Sequence, residues 1–153
     1  MGNYREHALE GASAVELVVA LYDGMIRFLY AAIAAVERGD AEGRRAAVKR
    51  VLDIIVHLQA RLRMDVGGRP AESLSDFYAA IFAEILQASQ SASRAKFQHA
   101  IGCVRNVRDA WREVAKEQSA DPVRSGVLTM PARSGPEPAA GGKSAGTGSN
   151  WTA

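Results

Sequence analysis

SAVELVVALYDGMIRFLYAAIAAV, residues 13–36, decides the fold. Stepping 100° per residue from Val15 puts Val18, Val19, Tyr22, Met25, Ile26, Leu29, Ile33 and Val36 on one stripe of a helix. Leu17, Leu21, Gly24, Phe28 and Ala35 fall on a second stripe about 120° away. The arc holding Glu16, Asp23 and Arg27 is the plainly polar part. A single apolar stripe suffices to bury a helix in a small bundle. A second stripe needs a central place in the bundle or a partner outside it. Ser13 and Glu16 have the spacing of a capping box, which predicts a helix start at about Ala14 and an end at Glu37.

Outward from this stretch the helical pattern repeats. Residues 1–12 read as a short helix or a strap on the domain. Gly39 suits a left-handed cap and Asp40 a cap for the next helix. The second helix is predicted over Ala41–Met64, with Ala47, Val48, Val51, Leu52, Ile54, Ile55, Leu58 and Leu62 inward and His57 on the polar side. Asp65 to Pro70 reads as a turn, with Pro70 opening a third helix that runs to about Ser89. Phe82 and Leu86 lie off the centre of its core stripe and are expected to reach the surface. A serine cap in the 89–93 cluster starts a fourth helix running to about Lys116, with Phe97, Ile101, Val104, Val107, Trp111 and Val114 inward. No stretch shows β-alternation. The expected fold is all-α: an antiparallel up-down four-helix bundle over 1–118 with a short N-terminal segment. Four of the five prolines fall after Gln118. Residues 119–153 are therefore expected to be a disordered Pro/Gly/Ser/Ala-rich tail, with Trp151 its one large apolar side chain.

Composition narrows the function. Apolar residues make up 48% and charged residues 24% of the 153, ordinary for a soluble globular chain. The net charge of +2 comes from mixed signs with no basic stripe, which argues against nucleic acid. A single cysteine, Cys103, fits a reducing cytosol. No signal peptide is apparent, and charge interrupts the apolar runs, so no membrane insertion is expected. Convergent catalytic groups are absent: the histidines are His7, His57 and His99, and no Glu-x-x-His pair is present. His57 and His99 read as solvated surface residues, and Cys103 as a small half-buried apolar one without a base nearby. The expectation is a non-enzyme without cofactor or metal. Two readings of the surplus apolar surface remain: a binding module for a foreign helix or extended segment, and a self-associating structural or regulatory bundle.

The run Tyr4…Leu9…Ala12-Ser13…Leu17-Val18…Leu21-Tyr22-Asp23-Gly24…Ile26-Arg27-Phe28-Leu29 resembles the N-terminal signature of the flagellar secretion chaperone FliS family. The likeness continues through the Gly39-Asp40 turn, Ile54-Ile55 and Gly67-Gly68 to Arg108-Asp109-Ala110-Trp111. It covers about residues 4–117. The resemblance implies a cytoplasmic export chaperone. Such a protein binds the C-terminal segment of flagellin, prevents its premature polymerisation and helps deliver it to the gate of the flagellar type III export apparatus. Some members also contact the flagellar anti-sigma factor. It further implies a monomer or weak homodimer, and a flagellin-binding set of Tyr4, Leu17, Leu21, Tyr22, Gly24 and Phe28.

Overall fold

The computed structural model describes the backbone of residues 2–120 and the side chains of 14–63 and 67–119. It contains α1 (Gly2–Glu37), α2 (Ala41–Ala60), α3 (Met64–Gln90) and α4 (Arg94–Ala120). Each helix packs on its neighbours in the chain, and α4 closes the ring against α1. Three-residue connections between consecutive helices make neighbours antiparallel. The four-helix all-α architecture expected from the sequence is the one observed. The predicted tail lies outside the described residues.

The connections hold for local reasons. Gly39 takes φ 71°, and Asp40 Oδ1 accepts a 2.8 Å hydrogen bond from the Gly43 N–H to cap α2. Ser93 Oγ accepts from the Lys96 N–H at 3.1 Å, supplying the expected serine cap of α4. Elsewhere the helix limits shift. Ser13 is not a cap: α1 runs unbroken from Gly2, so residues 2–12 form no separate element. An N-cap needs non-helical backbone, and Ser13 has helical residues on both sides. α2 stops at Ala60 rather than Met64, and Met64 already belongs to α3. The predicted turn at Asp65 to Pro70 contracts to a kink at Gly68, whose φ 58°, ψ −143° only glycine adopts readily. Pro70 follows two residues later, where its missing N–H is cheap. α4 extends four residues beyond Lys116.

The first stripe of α1 forms the heart of the core. Tyr22, Met25 and Leu29 are fully enclosed together with Val51, Ile85 and Phe97 from the other three helices. Burying a side chain of this size contributes about 1.5–3 kcal/mol. The centre is also polar. The hydroxyls of Tyr22 and Tyr78 meet at 2.6 Å across the diagonal from α1 to α3. The Trp111 indole N–H of α4, a donor only, favours the ionised form of Tyr22, an effect that burial outweighs. Burial raises the pKa of both phenols, so they stay neutral through the physiological range. Beside them, Arg108 Nη1 donates to Asp23 Oδ1 at 2.9 Å, tying α4 to α1, and Arg112 approaches Asp23 Oδ2 at 3.7 Å.

Ala14–Glu37 is long and apolar enough to cross a membrane by length and composition. The core helix of a bundle passes the same test. In this fold its inner stripe is instead enclosed by protein.

Two stability predictions follow from these contacts. Tyr22→Phe leaves the Tyr78 hydroxyl buried without its partner and is expected to cost about 1–3 kcal/mol in urea unfolding. In a double-mutant cycle Tyr22→Phe/Tyr78→Phe should cost less than the sum of the single changes. Asp23→Asn weakens a part-exposed ion pair and is expected to cost about 1 kcal/mol, a loss that shrinks in about 1 M NaCl.

Candidate protein-binding surface

The second stripe of α1 has two fates, and the length of α2 separates them. α2 has 20 residues and spans about 30 Å, whereas the 36 residues of α1 span about 54 Å. Running antiparallel from the Glu37 end, α2 therefore flanks α1 only back to about Val18. Where α2 lies alongside, the stripe is covered: Gly24 and Ala35 are buried. Beyond its end, Leu17 is 46% exposed. Leu21 and Phe28 are half-buried between these extremes.

A shallow groove runs along the α1/α2 seam, lined by Phe28, Ala46 and Ile54 and by Lys49, Arg50 and Asp53. The Phe28 ring is flanked by two guanidinium groups, Arg27 at 5.6 Å and Arg50 at 5.4 Å from its centroid. Such cation–π contacts are worth about 0.5–1 kcal/mol at exposed sites, little enough for a docking chain to displace. A second groove lies on the other side of α2, against α3. Val48, Leu52 and Val56 face Phe82 and Leu86 there. Val56 is 57% exposed and Leu86 39% exposed. Lys49 and Asp53 line both grooves and are joined by a 3.0 Å ion pair.

The six residues singled out from sequence do not form one surface. Leu17, Leu21 and Phe28 are accessible to different degrees on the outer side of α1. Tyr22 is fully enclosed in the Tyr78–Trp111 cluster, and Gly24 is buried, so neither presents a contact to solvent. The close neighbour that Gly24 serves is within the bundle: a Cβ there would stand 3.4 Å from Ile54 Cδ1 of α2. The Tyr4 side chain lies outside the described residues. Sequence reasoning placed Leu86 at the surface correctly, whereas Phe82 is half-buried against the core, and it missed Val56. Its signal was available, because Val56 falls off the Val48–Val51–Ile55–Leu58 stripe.

Polar groups on the surface were also under-read. His57 is exposed, and its Nε2 accepts from Arg61 Nε at 3.0 Å. His99, however, is not a solitary surface histidine. It stands one helical turn before Cys103, with both ring nitrogens 3.9 Å from Sγ, and bonds Glu84 of α3. Burial, and then the Glu84 charge, push the Cys103 thiol above its ordinary pKa, the opposite of what an activated nucleophile requires.

The family model of flagellar protein FliS matches residues 1–118, the whole of the bundle. The flagellar secretion chaperone FliS of Salmonella typhimurium is 29% identical over 115 residues, covering 74% of this chain and 85% of the relative. The protein of the same name from Vibrio cholerae is 28% identical over 71% of this chain and 80% of its own length. That from Bacillus subtilis is 24% identical over 80% and 91%. The Leu21-Tyr22-Asp23-Gly24 and Arg108-Asp109-Ala110-Trp111 runs, 85 residues apart at Asp23 and Arg108, meet in the structure through that ion pair. With its bundle matched from end to end, the chain belongs to the FliS family of flagellar proteins.

Proposed function

We propose that this protein is a cytoplasmic flagellar export chaperone that holds the C-terminal segment of flagellin. The observation that carries the reading is the open band on α1, where Leu17 is 46% exposed beside half-buried Leu21 and Phe28, continuing into the α1/α2 groove. Apolar surface of this kind on a small domain marks an interaction site. An amphipathic helix laid along such a groove anchors through residues spaced three and four apart. The second groove, past the crest of α2, offers a separate apolar track for a further part of the same chain.

Ordering an unfolded segment on binding costs several kcal/mol, so a single short contact leaves little affinity. Two tracks separated by one helix allow a long segment to bury enough surface to offset that cost. Once held, the apolar faces through which flagellin subunits associate are covered, which prevents premature polymerisation. Delivery to a component of the flagellar type III export gate then requires release rather than catalysis. Contact with the flagellar anti-sigma factor is a further property of this reading. Tyr22 and Gly24 contribute indirectly, by holding α1 at its depth against α3 and α2.

Titration of a flagellin C-terminal peptide against Leu17→Asp, Leu21→Asp and Phe28→Asp tests the proposal. Losing the burial of one such side chain is worth about 1.5–3 kcal/mol, so affinity should fall by roughly 10–100-fold while the helical signal is retained. Unchanged affinity in folded variants would remove these residues from the site. Sedimentation at micromolar concentration should show a monomer or weak dimer. A tight dimer dissociated by Leu17→Asp would instead assign the band to self-association.

A further inference from the structure

The chemistry least accounted for by a protein-binding surface lies on the opposite seam of the bundle, between α3 and α4. Glu84, His99 and Cys103 each direct a ligand-type atom to one spot there, and these atoms all lie within 4.8 Å of one another. His99 Nδ1 is 2.5 Å from Glu84 Oε2, and Cys103 Sγ is 3.9 Å from either ring nitrogen. We propose that these three residues form a zinc-class divalent-metal site, a function separate from client binding.

Three features carry this. His99 and Cys103 are four residues apart on one helix, so both side chains project from the same face, the spacing by which helices present paired zinc ligands. Glu84 comes from the other helix, so the site joins two elements and its geometry is set by the fold. The donor set of one sulfur, one nitrogen and one oxygen suits a borderline-soft ion with tetrahedral preference, and is wrong for magnesium or calcium. Zinc bonds of about 2.0–2.3 Å place tetrahedral ligand atoms about 3.5 Å apart. The observed separations straddle that distance, and His99, with its side chain 69% exposed, is free to turn and meet it. On binding, the thiol proton leaves to solvent as the metal–sulfur bond forms. Neutral imidazole and the carboxylate donate lone pairs, and water completes the fourth position. The ion would pin α3 to α4 through residues that line neither apolar groove.

The test uses untagged full-length protein, kept reduced with a phosphine and titrated with cobalt(II) as the probe. The expected result is one cobalt per chain, with a near-ultraviolet thiolate-to-cobalt absorption that zinc abolishes by displacement. Cys103→Ser should lose that band. His99→Ala and Glu84→Gln should each weaken binding by at least about tenfold, while His57→Ala binds as the parent does. These side chains reach the surface, so circular dichroism is expected to stay unchanged. Absence of the thiolate band in excess cobalt, or a band that survives His99→Ala and Glu84→Gln with unaltered affinity, would overturn the site. Peptide affinity measured in parallel reports on the chaperone reading independently.

Discussion

The hydrogen bond between the Tyr22 and Tyr78 hydroxyls is the constraint on which the rest depends. In a ring of four helices, adjacent members share long seams, but opposite members face each other across the full width of the core. Apolar packing there tolerates sliding, since dispersion contacts have little direction. A buried hydroxyl without a partner costs about 1–3 kcal/mol, so the phenols hold α1 and α3 in one register. That register in turn sets Met25 and Leu29 against Phe97 and Val51, and brings Asp23 alongside Arg108.

With the register set, the difference in helix length becomes functional. A longer α2 would cover Leu17 and complete a conventional core. The chain ends α2 at Ala60, and a band of α1 stays open. The same helix is apolar on both flanks, with Ile54 beside α1 and Leu52 and Val56 beside α3, because it has a neighbour on each side but only part of its surface reaches the centre. The exposed surface thus arises from α2 being thin cover, and the stability forgone there is available to a partner. The mixed charges of Arg27, Lys49, Arg50 and Asp53 along these grooves keep the apolar strips narrow, which discourages indiscriminate association.

The residues that signal the family and those suited to touching a partner are largely different. Tyr22, Asp23, Gly24, Arg108 and Trp111 are joined to one another or packed against the bundle's own helices. Their value lies in keeping α1 close to α4 and α2. Leu17, Phe28, Val56 and Leu86 carry the accessible apolar area, yet any apolar residue of similar size would serve in those places. A motif of identities marks the positions with geometric demands, and a binding strip asks mainly for hydrophobicity at the right spacing.

The sequence by itself determined that there are four helices, that α1 carries two apolar stripes, and that Gly39-Asp40 and a serine of the 89–93 cluster turn and cap the chain, because periodicity and capping are local properties. It also identified Leu17 as part of a surplus apolar stripe. Only the tertiary structure decided how that stripe divides, since Gly24 and Leu17 share a face, but Gly24 packs against Ile54 of α2 and Leu17 lies past the end of that helix. It likewise decided that Tyr22 serves the core, that Ser13 sits inside a longer helix, and that Glu84 meets His99 and Cys103. Each of these depends on where a second helix lies, and packing between distant segments leaves no periodic trace in either one.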